Sequence, residues 1–272
     1  KERKTRSIGV IVCEIANSFF SQIINGIESV AYDKGYNVII SQTNESYERE
    51  VIDLQNMASR AIDGLLISVS TETTDFTHIN ELHKRGLPIV FFDRIASDIK
   101  THSVIIDNYK GAYEATEHLI QAGYKNIAAI GNSEFLSITV DRMAGYKDAL
   151  AANGIKIDKK LIKYCFYGGM IFSEVEDTVN QLFVQKKKPD AIITLSDKLT
   201  TGCLKTFNRR GLRVPEDIAI VGFSNSDLTE LTNPPLSVVR QPAYEMGRAA
   251  TELILQIIES KRPVTEFEKR IM

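Results

Sequence analysis

Short apolar runs recur along this chain at intervals of roughly 25 to 35 residues, the spacing typical of β-α units. Each run is continuously apolar rather than alternating, which is the pattern of parallel strands covered by helices on both faces. The runs form two sets with a break near 106–107: 7–13, 37–41, 64–68, 88–92 and 103–106, then 126–130, 161–165, 191–195, 218–221 and 237–239. The pattern predicts an α/β fold with two parallel sheets.

Apolar residues at helical spacing fill the intervals between these runs. Phe20 to Ala31 is one example, and this helix is expected to stop at Gly35, because glycine tolerates the backbone angles of a helix end. The other predicted helices are 47–60, 109–122, 139–152, 172–185, 199–210 and 243–259. The dipeptide Gly-Tyr precedes the second strand of each set, at 35–36 and 123–124, which indicates two similar halves.

A chain of 272 residues has the length at which a single core divides into two domains. We predict a linker remnant at 1–6, an N-terminal lobe of 7–106 plus about 242–265, and a C-terminal lobe of 107–241 plus the C-terminal tail. The helix after Gln241 has no strand partner in the second set, so it is expected to return to the first lobe. The chain would then cross between the lobes several times, and these crossings would permit hinge closure on a ligand between them.

The most informative segment follows the strand 218–221. Gly222 opens into the polar loop 224–227, a double proline stops any helix at 234–235, and a short strand then leads to Gln241 and Pro242. Open α/β sheets bind ligands beyond the carboxyl ends of their strands. The segment therefore predicts a ligand-facing rim followed by a crossing.

Composition limits the classes of function. The chain has 33 Lys and Arg against 35 Asp and Glu, so its net charge of −2 gives no field that would draw the body onto nucleic acid. Four positive charges within the first six residues indicate either a solvated tail or a severed linker, and a start without Met indicates a fragment or processed product. No run has the length of a membrane span, and three widely spaced cysteines favour buried thiols in a reducing cytoplasm.

The enzyme motifs that we sought are absent from the sequence. It contains no G-x-G-x-x-G, G-x-x-x-x-G-K-[ST] or H-E-x-x-H pattern, and its four histidines are scattered. The segment 222–226 begins like a nucleophile elbow but lacks the closing glycine. We predict a protein that is not an enzyme and that needs no cofactor or metal.

Six segments in order, between residue 7 and about residue 262, resemble the effector-binding domain of LacI/GalR family bacterial transcription regulators. They are SIGVIVCEIANSFFSQIINGIESVAYDKGYNVIIS, DNYKGAYEATEHLIQAGYKNIAAIG, DRMAGYKDAL, PDAIITLSDKLTTGCLK, RGLRVPEDIAIVGFSNSD and PPLSVVRQPAYEMGRAA. The resemblance implies two lobes like those of periplasmic sugar-binding proteins, with a small effector in the cleft. It also implies operator DNA as a partner through a helix-turn-helix headpiece that would precede Lys1. The last strand of the family is expected to be missing here.

The resemblance also implies candidate effector-binding residues in the first lobe. Asn17, Phe19 and Phe20 match positions that pack on the effector, since an aromatic face suits a sugar or a purine ring. Ordinary core packing is the alternative for both phenylalanines. Asp93 ends its strand at the same rim, where it can accept hydroxyl hydrogens or instead pair with Arg94.

In the second lobe Arg142 is the principal candidate, because its planar fork can bind a carboxylate, a phosphate or vicinal hydroxyls. Asp197 is either a ligand acceptor or the cap of the following helix. An acid commonly follows the aromatic of GFSNSD in this family, but the chain has Ser224 there, which leaves Asn225 or Asp227 as substitutes. Ser196 is a further candidate at the end of a strand. Met170 and Phe172 are candidates for a lid over the effector, with core packing as the alternative, and Gln241 at the crossing would sense closure.

The sequence therefore predicts the ligand-sensing, dimerising domain of a cytoplasmic DNA-binding regulator. Its expected effector is a sugar, a sugar phosphate or a purine, and no membrane partner is expected. Helices at 18–34 and 47–60 are expected to supply much of the contact in a homodimer. The alternatives are a periplasmic solute-binding protein of a transport system, which shares the fold, and a small-molecule enzyme.

Overall fold

The computed structural model describes residues 5–260, 262 and 264–272, and the chain divides into two compact units. The first unit takes residues up to 106 and from 242 onward, and the second takes residues 107–241. Of the predicted linker remnant 1–6, residues 1–4 lie outside the described residues.

The described residues form strands and helices in alternation. The strands are β1 Ser7–Val12, β2 Asn37–Gln42, β3 Gly64–Ile67, β4 Ile89–Phe92, β5 Ser103–Ile105, β6 Ile127–Gly131, β7 Ile162–Tyr164, β8 Ala191–Thr194, β9 Ala219–Phe223, β10 Val238–Val239 and β11 Lys269–Ile271. The helices are α1 Ser18–Asp33, α2 Tyr47–Ser59, α3 Thr77–Lys84, α4 Asn108–Gln121, α5 Ser137–Ala152, α6 Phe172–Phe183, α7 Asp197–Arg209 and α8 Ala243–Glu259. Short 3₁₀ turns occupy Lys159–Leu161 and Asp227–Glu230.

Each unit contains one parallel sheet with its central strands buried. The six-stranded sheet of the first unit has the order β11-β5-β4-β3-β1-β2, and the five-stranded sheet of the second has the order β10-β9-β8-β6-β7. Every residue of β3, β4, β6, β8 and β9 is buried, as continuously apolar strands between two helical layers must be. This confirms the predicted α/β class with two helix-flanked parallel sheets.

The two sheets share one strand order. Within each unit the second strand lies beside the first, and the third, fourth and fifth strands follow on the other side. Successive strands of the chain are therefore added first on one side of the initial strand and then on the other. The strand order reverses between β1 and β3 in one sheet, and between β6 and β8 in the other. Ligands of open α/β sheets bind at such a reversal, beyond the carboxyl ends of the strands.

The C-terminal residues correct two expectations. β11 pairs with β5 in the sheet of the first unit, with Lys269 opposite Ser103 and Ile271 opposite Ile105. The tail thus lies in the first unit, not with the C-terminal lobe as expected, and the last strand is present. Polar residues dominate β11 and gave no apolar run to recognise, whereas pairing covers the backbone groups of β5, which would otherwise be an unprotected edge.

Helices α1 and α8 are in backbone contact within the first unit. A Cβ atom on Gly247 would come within 2.1 Å of the Ile23 carbonyl oxygen, and one on Gly26 would come within 2.1 Å of the Tyr244 carbonyl oxygen. Neither carbonyl can move without moving its helix. The chain enters α8 from the second unit. The two glycines therefore set the distance at which α8 packs against α1 in the first unit.

We expect Gly247→Ala to lower the free energy of unfolding by about 3 kcal/mol, near the upper end for overpacked positions, measured by urea denaturation. Gly202→Ala is the matched control inside α7, since a Cβ atom there would meet only side-chain atoms of Val175, the nearest at 3.0 Å. The gain in helix propensity, about 1 kcal/mol, should offset that contact. Equal stability of the two variants would contradict the backbone contact.

Candidate functional site

Polar side chains collect where the central strands of the second sheet end. Asn132 follows β6, Ser196 and Asp197 follow β8, and Ser224 and Asn225 follow β9. These strands are neighbours in the sheet, so their carboxyl ends lie side by side. Asn132, Ser224 and Asn225 are buried although they are polar. This edge, defined by the five residues, is called the second-unit rim below.

Arg142 reaches the second-unit rim from α5. Its Nε donates to Asn108 Oδ1 at 2.7 Å, and its Nη1 donates to the Leu195 carbonyl oxygen, at the end of β8, at 2.6 Å. The guanidinium carbon lies 3.9 Å from the centre of the Phe223 ring. The side chain is 2% exposed. Two charge-assisted hydrogen bonds and a stacked ring fix the plane of this cation before any ligand arrives.

Ser224, where the resemblance led us to expect an acid, donates a hydrogen bond to Asp197 Oδ1. The Ser224 Oγ also accepts from the Ser226 amide at 3.2 Å. Ser196, and not Asp197, caps α7, since its Oγ accepts from Leu199 N at 3.5 Å. The carboxylate at this position of the rim is therefore supplied by the first turn of α7 rather than by the loop after β9.

Asn225 joins the second-unit rim to the crossing at Gln241. Its Nδ2 donates to the Gln241 carbonyl oxygen at 2.8 Å, and its Oδ1 accepts from the Gln241 amide at 3.0 Å. Seven buried side-chain N or O atoms of the described residues have no hydrogen-bond partner, and two of them, Gln241 Nε2 and Asn132 Oδ1, lie in the second unit. Buried polar atoms are almost always bonded, so a donor and an acceptor are available here for a ligand.

Asn132 was missed by sequence reasoning. The same rule that singled out Ser224, a small polar residue directly after a buried apolar strand, applies to Asn132 after IAAIG.

The carboxyl edge of the first sheet holds a buried ionic network. Arg94 donates from Nη1 and Nη2 to the two carboxylate oxygens of Glu45, at 2.7 and 3.0 Å, and its Nη1 lies 3.2 Å from Cys13 Sγ. Asp93 has a φ of 60° and an Oδ2 that lies 3.8 Å from Arg94 Nε. The geometry thus favours pairing of Asp93 with Arg94, which was the alternative to a role in ligand binding.

The charges of this network shift the pKa values of its members. Burial alone would raise the pKa of Glu45, but the charge and hydrogen bonds of Arg94, with hydrogen bonds from Thr71, outweigh it and lower that pKa. Burial raises the pKa of the Cys13 thiol well above its ordinary value, and the nearby Arg94 offsets this only in part. Glu45 is therefore a carboxylate and Cys13 a thiol at neutral pH.

The remaining predicted site residues make packing or capping contacts, or are exposed. Asn17 caps α1 by accepting from Phe19 N at 2.9 Å, while Phe19 and Phe20 are buried in the core of the first unit. The Phe172 ring packs against α7, 4.2 Å from Lys205 Nζ and 4.6 Å from the guanidinium carbon of Arg209. Met170 is exposed. The geometry favours core packing for Phe19 and Phe20, and helix-helix packing for Phe172.

Metal sites and membrane-spanning helices are both absent from the described part of the chain. No group of three or more His, Cys, Asp or Glu side chains there is arranged to hold a metal ion. No helix there has the length and apolar character needed to cross a membrane.

Two helix-flanked parallel sheets with one shared strand order, and polar groups gathered at the strand ends, define the class of periplasmic-binding-protein-like ligand binders. The family described as "Periplasmic binding proteins and sugar binding domain of LacI family" matches residues 5–270. The chain is 35% identical to the HTH-type transcriptional repressor CytR of Escherichia coli K12 over 96% of its own length and 75% of that protein.

Solved structures agree with this match. The transcription regulator CcpA of Lactococcus lactis superposes with a TM-score of 0.87 at 28% identity, covering 99% of this chain and 96% of that one. A LacI family regulator of Enterococcus faecium, solved with bound ribose, superposes with a TM-score of 0.83 at 28% identity, covering 98% of this chain and 94% of that one. The chain belongs to this family, as the ligand-sensing core domain of a LacI-type transcription regulator. The alternative of a transporter's solute-binding protein is thereby set aside.

Proposed function

We propose that this domain binds a sugar, a sugar phosphate or a purine derivative at the second-unit rim and so controls operator binding by the helix-turn-helix headpiece of the full-length regulator. The observation that carries the proposal is the fixed guanidinium of Arg142 at the edge of the sheet where Asn132 follows the neighbouring strand. Asn132 Oδ1 and, at the crossing bonded to Asn225, Gln241 Nε2 are buried polar atoms without a hydrogen-bond partner. A preorganised cation with unsatisfied donors and acceptors matches a small polyhydroxylated or anionic ligand.

The proposed contacts have separate roles. Arg142 holds a hydroxyl pair, carboxylate or phosphate of the effector. Asp197, Ser224 and Asn225 bind hydroxyls or ring nitrogens, and Ser196 lies beside them. In the first unit, Asn17 and Asp93 stay proposed contacts; burial of Phe19 and Phe20, and the packing of Phe172, argue against direct roles for those rings.

The effector class is tested by unfolding the domain with each of a panel of compounds. Ribose comes first, because the Enterococcus faecium relative was solved with it, followed by nucleosides, purines, hexoses and sugar phosphates. A ligand at 100 times its dissociation constant should stabilise the domain by about 2.7 kcal/mol. A panel without any stabilising compound would contradict the proposed ligand class.

The mechanism that we propose is a population shift in a homodimer. The effector binds one conformation of the domain more tightly and so changes the spacing of two headpieces on a near-palindromic operator. Helices α1 and α2 are the proposed dimer surface, where Tyr32 and Ile52 are exposed large apolar side chains. Sedimentation of the domain at micromolar concentration should show a dimer that Ile52→Lys weakens, whereas monomer alone would contradict the proposed dimer.

We also infer that the regulator is cytoplasmic and has no catalytic activity. Its cysteines Cys13, Cys165 and Cys203 are buried and unpaired, which suits a reducing compartment. Its relatives are transcription regulators rather than enzymes. Turnover of any compound of the effector panel by the domain would contradict this inference.

A further inference from the structure

A second concave site lies within the second unit, at the opposite, amino-terminal edge of its sheet. It is a cavity of about 370 Å³ next to the start of β6, between the loops that precede β6, follow α5 and precede β8. We call it the amino-edge cavity. Its volume falls within the usual range for small-ligand sites. The second-unit rim is at the other end of the same strands, so the two sites are distinct.

Protein hydrogen bonds hold the three loops around the amino-edge cavity. Gln185 Nε2 donates to the Lys160 carbonyl oxygen at 2.8 Å, and the Asn126 side chain donates to the Lys188 carbonyl oxygen. The carboxylate of Asp190 accepts the backbone amides of Lys125 and Asn126 at 3.1 and 3.0 Å. The walls of the cavity are therefore defined by the fold rather than by loose surface loops.

The floor of the amino-edge cavity is apolar. It is lined by aliphatic side chains and by the buried ring of Tyr146, whose hydroxyl donates to the Ile127 carbonyl oxygen at 2.8 Å. The aliphatic lining residues are Ile127, Leu150, Ile155, Ile157 and Leu161. Contact with these side chains favours a ligand that has an apolar part.

The rim of the amino-edge cavity is strongly basic. Lys125, Lys156 and Lys187 line it, and their loops add further exposed lysines at 159, 160, 186 and 188. In the part of the chain that the structure describes, none of these seven lysines makes an ion pair. Of the two aspartates of these loops, Asp158 also lines the cavity and accepts the Lys160 amide through Oδ1 at 2.9 Å, and Asp190 is bound as described. The seven lysines outnumber these two carboxylates. Positive charge is concentrated here although the whole chain carries −2.

We propose that the amino-edge cavity binds a small organic anion, a phosphate or carboxylate that carries an apolar segment. The lysine ammonium groups bind the anion as point charges at the rim, and the apolar segment occupies the aliphatic floor. A nucleic-acid backbone would satisfy the lysines but would leave the concave apolar floor without a partner. The shape therefore favours a small molecule over a polyanion.

The test uses isothermal titration of the domain with inorganic phosphate and with ethyl, butyl and hexyl phosphate at constant ionic strength. We expect one site per chain and an affinity that rises up to about fourfold for each methylene that becomes buried. Replacing Lys125, Lys156 and Lys187 together with glutamine should weaken hexyl phosphate binding at least about tenfold, as expected when charge-assisted contacts of about 1.4 kcal/mol or more are lost.

Three variants control this experiment. Replacing the exposed lysines Lys34, Lys84 and Lys100 with glutamine changes the net charge equally and should leave binding unchanged. Ile157→Glu puts a carboxylate on the partly exposed apolar wall and should abolish binding without a core substitution. Replacing Lys125, Lys156 and Lys187 together with arginine keeps the positive charge of the rim and should retain hexyl phosphate binding.

The proposal is overturned by any of four results. These are no saturable binding of hexyl phosphate, no dependence on chain length, equal losses in the two triple lysine-to-glutamine variants, or binding of short duplex DNA that hexyl phosphate does not displace. The last result would identify the basic face as a surface for polyanions.

Discussion

Arg142→Ala should abolish the stabilisation of the domain by any effector found in the panel, with at least about a hundredfold loss of affinity. Two charge-assisted hydrogen bonds, each worth about 1.5–3 kcal/mol, fix the guanidinium at the end of β8, the edge at which we propose that the effector binds. The measurement is the change in the urea midpoint of unfolding when the ligand is added, compared between the wild-type domain and Arg142→Ala.

The same substitution should also destabilise the ligand-free domain, because Arg142 is buried and bonded to Asn108 and to the end of β8. Two further variants separate the structural role from the binding role. Arg142→Lys keeps the charge but loses the planar fork, so it should retain part of the stability and little of the affinity. Arg85→Ala removes an exposed arginine of the first unit and should change neither. If Arg142→Ala keeps its ligand-induced shift, Arg142 is a structural residue only.

Arg94→Met should destabilise the domain by about 3–5 kcal/mol at neutral pH, since it leaves the buried carboxylate of Glu45 without its counter-charge. Urea denaturation at pH 7 measures this loss. The double variant Glu45→Gln with Arg94→Met is the matched control. It removes both charges of this pair and should recover the part of the loss that is due to Glu45, because replacing both partners of a buried pair is often close to neutral. The part of the loss that is due to the neighbouring Asp93 should remain.

The loss caused by Arg94→Met should shrink as the pH falls. In the wild-type chain Arg94 lowers the pKa of Glu45, so this pair stabilises the fold fully above the pKa of an unfolded Glu, about 4.3, and its contribution is lost as pH falls through the lower folded value. In the variant, burial without Arg94 raises that pKa, so acid protonates the carboxylate and relieves its cost. A loss that is equal at pH 7 and pH 4 would contradict an ionised pair.

The fold could be predicted wherever one physical effect dominated. Central strands such as β3 and β8 are buried on both faces, and only a continuous apolar run satisfies that environment. Helix α3 was not predicted, because eight residues with one buried side chain, Ile79, give a weak periodic pattern. Strand β11 was missed because its pairing depends on an edge formed far away in sequence.

The candidate site was predictable at strand ends and less so along helices. Asp197, Ser224 and Asn225 follow neighbouring parallel strands that end at one edge, a topology that the sequence pattern already implied, and Arg142 reaches this edge from α5. The orientation of side chains in the first turns of helices is set by packing that no local pattern shows. Phe19 and Phe172 therefore point to a core and to a neighbouring helix rather than to the rim.

The C-terminal position of α8 and β11 has a consequence for synthesis on the ribosome. The second unit is one continuous segment, 107–241, whereas the first unit takes its last helix and its sixth strand from the end of the chain. Domains generally fold as they emerge. The second unit can complete its sheet during translation, while the first must wait with the outer edge of β5 unpaired and without α8 packed on its sheet. In the nascent chain, the N-terminal unit is thus the later of the two to fold.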